Sequence, residues 1–105
     1  MLDVFSAVAD PTRRLILERL RDDGALSVSS LAKALPISRQ AVTKHLDLLE
    51  GAGLIQKRIQ GRERLHELEV EPLHEVEDWL APYASAWEER LERLRIHLDG
   101  DADDD

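Results

Sequence analysis

The chain has 105 residues, 43% of them hydrophobic, and carries a formal net charge of −8. That length suits one domain with a modest core and leaves little room for a deep catalytic pocket and its supporting shell. Cysteine is absent, which excludes both a disulfide framework and a thiolate metal site, and so much net acid argues against a protein that is basic throughout.

Residues 3–9 predict a short, weakly amphipathic helix with Phe5, Val8 and Ala9 on its apolar side. Asp10-Pro11 then reads as a helix start, with Asp as N-cap and Pro at the first helical position. The helix that follows places Leu15, Ile16 and Leu20 at helical spacing and stops near Gly24. Residues 26–28 suggest a brief strand. Ser29 or Ser30 then caps a short helix over residues 31–35, with Leu31, Ala34 and Leu35 apolar. Pro36 ends that helix, because a residue before proline disfavours the helical region.

Ser38 caps the next helix, in which Val42, Leu46 and Leu49 recur at i, i+4 and i+7. Gly51 or Gly53 closes it in a left-handed C-terminal position. A short helix joined by a tight turn to a longer one is a helix-turn-helix. Residues 54–60 and 63–68 read as two strands joined at Gly61, and Pro72 opens a long final helix. On that helix Leu73, Val76, Leu80, Tyr83, Trp87, Leu91, Leu94 and Leu98 form nearly a heptad seam, which Pro82 is expected to kink or split. The expected fold is therefore mainly α with a small β-hairpin, a winged helix-turn-helix of about five helices over residues 1–98, followed by an acidic, disordered tail at 99–105.

The seam is longer than such a small core can cover, and exposed it would exceed the apolar patches soluble monomers usually show. Pairing with a second copy through the terminal helices is the simplest burial. Leu2, Phe5, Leu80, Tyr83, Trp87, Leu91, Leu94 and Leu98 are the expected interface.

Charge is distributed unevenly. Residues 33–66 hold seven basic and three acidic side chains, whereas residues 67–105 hold three basic and fourteen acidic ones. With Val42, Leu46 and Leu49 turned to the core, Arg39, Gln40, Thr43 and Lys44 face outward, the chemistry a second helix presents to base edges in the major groove. The hairpin adds Arg58, Gln60, Gly61, Arg62 and Arg64, together with Lys57, as a basic wing for phosphate or the minor groove. No Ser, Cys or carboxylate constellation supports an enzyme.

The chain resembles the ArsR-type winged-helix repressors over nearly its whole length. The residues that carry this are Ala9-Asp-Pro-Thr-Arg-Arg-Leu-Ile-Leu17, Leu31-Ala32, Ser38-Arg-Gln-Ala-Val-Thr-Lys-His-Leu46, Leu48-Leu49-Glu50, Ala52-Gly-Leu-Ile55, Gly61-Arg62 and Trp87-Glu-Glu-Arg-Leu-Glu-Arg-Leu94. The resemblance implies a homodimer on a palindromic operator of double-stranded DNA, blocking transcription until released by a small-molecule or protein effector that the sequence does not name. It also implies that His45 supports the recognition helix or touches a phosphate. Where arsenic and cadmium sensors of the family carry Leu-Cys-x-Cys-Asp-Leu, this chain has Leu26-Ser-Val-Ser-Ser-Leu31, and hydroxyls do not replace thiolates for a soft metal. His74 with Asp78, and His97, lack the second ligand pair of the family's zinc sensors. No metal and no cofactor are expected, and His66 reads as a satisfied core histidine.

The opening residues lack a basic segment followed by an apolar stretch, and no apolar run approaches the roughly 20 residues that span a bilayer. A cytoplasmic, nucleoid-associated regulator with no membrane partner is expected. The reading weighed against a DNA-binding repressor is a winged-helix protein-interaction module without specific DNA binding.

Overall fold

The computed structural model describes residues 2–103. Five helices and one hairpin follow in the order α1 (Val4–Ala9), α2 (Pro11–Asp23), α3 (Val28–Ala34), α4 (Arg39–Gly51), β1 (Ile55–Gln60), β2 (Glu63–Leu68) and α5 (Leu73–Asp103). The expected winged helix-turn-helix architecture is the observed one.

Helix starts follow the capping chemistry. The Asp3 carboxylate accepts from the Ser6 N–H, and the Asp10 carboxylate accepts from the Arg13 N–H with Pro11 at the first helical position. Backbone hydrogen bonds to both carboxylates hold them below the usual range. The start of α3 differs from expectation. Its cap is Ser27, whose Oγ accepts from the Ser30 N–H at 3.2 Å, so Ser29 and Ser30 lie inside the helix. The expected strand at residues 26–28 contracts accordingly to a single bridge, Leu26 to His66. Leu35 ends α3 at φ −121° and ψ 148°, the extended conformation that Pro36 imposes.

Helix α4 ends in a Schellman turn. The Gly53 N–H donates to the Glu50 carbonyl at 2.9 Å and the Leu54 N–H to the Leu49 carbonyl at 3.0 Å, with Gly53 at φ 80°. This turn feeds the chain directly into β1. The hairpin pairs Ile55 with Leu68 and Gln60 with Glu63, leaving Gly61-Arg62 as its tip. Gly61 at φ 63°, followed by a residue with negative φ, fits a type II′ turn with glycine at its first central position.

The core gathers Val4 and Ala7 of α1, Ile16, Leu17 and Leu20 of α2, Leu31 and Leu35, Val42, Leu46 and Leu49 of α4, and Leu54 and Ile55. Leu15 lies outside it at 46% exposure and Leu17 takes its place, because the arc of α2 that meets α4 and β2 is centred between Ile16 and Leu20. Ala34 is likewise exposed.

The last four carbonyls of any helix lack intrahelical partners, and α1 is only six residues long. Two arginines of α2 satisfy all four of them. Arg13 Nε donates to the Ala7 carbonyl at 2.9 Å and its Nη2 to Ser6 at 3.1 Å, while Arg14 Nη1 donates to Val8 at 2.8 Å and Ala9 at 3.0 Å. The paired arginines of the Asp-Pro-Thr-Arg-Arg segment thus serve as a C-cap for the preceding helix.

The chain divides after His74 into two compact units. The second is carried by α5, which passes through Pro82 as one helix. Proline removes one N–H from the ladder, and good helix formers on both sides, among them Ala81, Ala84, Ala86 and Glu88, carry the turn across. The helix also runs on to Asp103, into the segment expected to be a disordered tail, while residues 104–105 lie outside the described residues. Its apolar stripe is uncovered in the single chain. Tyr83, Trp87, Leu91, Leu94 and Leu98 are all at least half exposed, and Leu80 is intermediate. Trp79 extends the stripe, with its ring 5.3 Å from that of Tyr83. On α1, Leu2 precedes the helix and Phe5 lies on it, both half-buried.

Candidate nucleic-acid interface

Helix α4 has two chemically distinct sides. Val42 and Leu49 are fully buried and Leu46 nearly so, while Arg39, Gln40, Thr43 and Lys44 are exposed. Ser38 Oγ accepts from the Ala41 N–H at 3.1 Å, so this hydroxyl fixes the start of the helix that holds the quartet. Thr43 Oγ1 donates to the Arg39 carbonyl at 3.0 Å, which leaves its methyl group and an oxygen lone pair for an outside partner. His45 stands apart. It is half-buried, and its Nδ1 is buried without a hydrogen-bond partner.

The register of the hairpin sorts the wing residues. Ile55, Lys57 and Ile59 of β1 share a face with Leu68, His66 and Arg64 of β2, and that face carries the buried Ile55 and His66. Gln56, Arg58 and Gln60 share the other face with Glu67, Leu65 and Glu63. Arg58 is on that second face and pairs with Glu67 at 3.2 Å. Lys57 reaches back to Glu50 at 3.5 Å and Asp47 at 3.9 Å, so it braces the hairpin against α4.

What remains converges. An open cleft of about 550 Å³ lies between the start of α3, the start of α4 and the wing, and Arg39, Arg62 and Arg64 all line it. Ser27, Val28, Ser29, Ile59, Glu63 and His66 complete its walls. A second hollow, lined by Val28, Arg39, Gln40 and Thr43, continues along the recognition helix. Sequence periodicity missed Ser27, Ser29 and Ile59. The register opposite Arg64 is the signal that finds Ile59, which is 73% exposed beside the arginines.

The cations of the molecule fall into two sets. Arg13, Arg14, Arg19, Arg21, Lys57, Arg58 and Arg95 are engaged by carbonyls or carboxylates. The side chains of Arg39, Lys44, Arg62 and Arg64, like those of Lys33 on α3 and Arg90 and Arg93 on α5, have no hydrogen bond or ion pair among the described residues, and of these Arg39, Arg62 and Arg64 gather around one cleft. Exposed charges held by no internal partner, on one helix and its adjoining hairpin, form a surface suited to phosphate oxygens and base edges. Among the described residues no group of three or more His, Asp or Glu is placed to hold a metal, and no helix is long and apolar enough to cross a membrane.

His66 is not the satisfied core histidine that the sequence suggests. It is 3% exposed and its Nδ1 has no partner, although its backbone bridges Leu26. Burial, opposed by the nearby Leu26 carbonyl, holds its pKa below 6.5.

A helix-turn-helix anchored in the core by Val42, Leu46 and Leu49, with an outward polar quartet and a cationic hairpin, defines a winged-helix DNA-binding protein. A helix-turn-helix domain family matches residues 8–58. The chain is 37% identical over 100 residues to the HTH-type transcriptional regulator Rv2034 of Mycobacterium tuberculosis, covering 95% of this chain and 90% of that protein. It is 31% identical to the transcriptional repressor SdpR of Bacillus subtilis over 76% of this chain and 88% of that one. Among solved structures, an ArsR-like transcriptional regulator from Rhodococcus sp. RHA1 matches with a TM-score of 0.70 and 36% identity, covering 92% of this chain and 88% of that one. The chain belongs to the ArsR family of helix-turn-helix transcriptional regulators.

Proposed function

We propose that the chain acts as a homodimeric repressor that binds a palindromic operator, in the cytoplasm and at the nucleoid. Arg39, Gln40 and Thr43 read base edges in the major groove. Lys44, Arg62 and Arg64 neutralise phosphates, with Arg62 at the wing tip. Gln60 and Gly61 shape that tip, Ser38 sets the helix start, and Arg58 contributes least because Glu67 already holds it. His45 steadies α4 from behind. The observation that carries this reading is the set of exposed cations on α4 and the wing that the fold leaves without partners.

Two copies follow from the uncovered stripe on α5. Leu80, Tyr83, Trp87, Leu91, Leu94 and Leu98, with Leu2 and Phe5 from the other end of the chain, bury their apolar surface against a second protomer. The two recognition helices then meet half-sites about one helical turn, roughly 34 Å, apart.

Selection from random DNA, followed by sedimentation of the selected complex, tests this. The expected product is an inverted repeat bound by two protomers, and a chain truncated before Ala84 loses both dimer and operator binding. Recovery of no preferred sequence, or of an intact dimer after truncation, would contradict it.

A further inference from the structure

The hollow along the recognition helix has apolar groups that contacts to phosphates and polar base edges leave unused. Val28, Arg39, Gln40 and Thr43 line it, and the open space is about 370 Å³. Three of the four belong to the outward quartet of α4, whereas Val28 is the first residue of α3. Val28 is half-buried and outside the core, and valine is among the weaker helix formers, so neither packing nor propensity calls for it there. Thr43 brings a second apolar group. Its Oγ1 is turned back to the Arg39 carbonyl at 3.0 Å, which fixes the rotamer of this β-branched side chain and with it the place of its methyl group. Each base pair shows a distinct pattern in the major groove, and thymine alone brings an apolar group, its C5-methyl. In an A·T pair that methyl lies on the same edge as the adenine N6 and N7, the atoms a glutamine contacts.

We propose that Val28 and Thr43 receive the C5-methyl of one thymine in each operator half-site, beside the adenine that Gln40 reads. Val28 is then a specificity-determining residue supplied by α3, and the preference it creates is for the methyl group rather than for a hydrogen-bonding pattern. The contact is apolar, so it adds sequence preference without adding to the salt dependence that Lys44, Arg62 and Arg64 create. The proposal rests on the assignment of α4 as the helix that enters the major groove.

The test uses the full chain and the operator obtained by selection. Each thymine is replaced in turn by deoxyuridine, in both half-sites, which removes the methyl group and leaves every hydrogen-bonding group in place. At one symmetric position the replacement is expected to weaken binding about fourfold per half-site, or about fifteenfold for both, the loss that goes with one buried methyl group. Val28→Ala, and Thr43→Ser, which keeps the hydroxyl, should each reduce that penalty by at least about twofold. Arg62→Ala weakens binding to the thymine and deoxyuridine operators alike. A purely structural role for Val28 would do the same and leave the penalty intact. If Val28→Ala fails to fold in denaturant melts, Thr43→Ser decides. The proposal is overturned if no thymine carries such a penalty, or if the penalty is undiminished in either folded variant. Selection that returns no preferred sequence removes the DNA reading as well, whereas a selected operator indifferent to deoxyuridine removes the methyl contact alone.

Discussion

Two regions of this molecule use arginine in opposite ways. At the junction of α1 and α2, Arg13 and Arg14 donate to the four carbonyls that end α1, and their charge is spent inside the fold. Across α4 and the wing, Arg39, Arg62 and Arg64 meet no carbonyl and no carboxylate among the described residues. Sequence position does not separate the two sets, and neither does exposure, since Arg14 and Arg39 are both exposed. The partner decides. An arginine whose donors are already paired gives a phosphate little, because the existing bonds must be broken first, whereas an unpaired one offers its full fork.

This contrast can be broken most easily by mutation. Arg39→Ala is expected to cost about 1–3 kcal/mol of operator affinity and to relax preference at one base position, with unfolding unchanged. Arg13→Ala should do the reverse. It strands two helix-end carbonyls and lowers stability by about 1 kcal/mol, with the DNA contacts themselves intact. Denaturant melts and operator titrations on both variants check the pair. If Arg13→Ala altered base preference, or Arg39→Ala lowered the melt, the division would fail.

A smaller effect concerns His66, which lies between the two regimes as a buried polar group lacking one partner. Its pKa is held below 6.5 by burial, so the folded chain keeps the ring neutral while the unfolded chain takes up a proton as pH falls through 6.5. The unfolded state then binds more protons, and folding stability declines from that pH downward until the folded value is passed. Replacing His66 with Phe should flatten this decline between about pH 7 and pH 5 in denaturant melts. A wild-type curve as flat as that of the variant would show that His66 exchanges its proton freely in the folded chain.

Much of the scaffold was legible because its determinants are local. Asp10-Pro11, Ser38, Leu35-Pro36 and Gly61 each fix a boundary through their own backbone preferences and nearest neighbours. The recognition quartet followed from the period of Val42, Leu46 and Leu49. What stayed hidden depends on tertiary placement. Nothing in Arg58 or Lys57 announces that Glu67 and Glu50 will take them out of the basic face. Ser27 competes with Ser29 and Ser30 as a cap, and the bridge from Leu26 to His66 sets where α3 begins. Leu15 and Leu17 are equally apolar, and only the arc of α2 that meets the rest of the core distinguishes them. The continuity of α5 through Pro82 likewise reflects the strength of helix on both sides, which a single-residue rule for proline does not weigh.

The most direct test of the central claim is the salt dependence of operator binding. If Lys44, Arg62 and Arg64 of each protomer neutralise phosphates, six contacts in the dimer give a slope of about −5 in log affinity against log salt. Removing Arg62 should make that slope shallower by about 2, one phosphate per protomer, while Arg13→Ala leaves it unchanged. A slope near zero for the wild-type protein, or one that Arg62→Ala does not alter, would contradict the assignment of these unpaired cations to DNA.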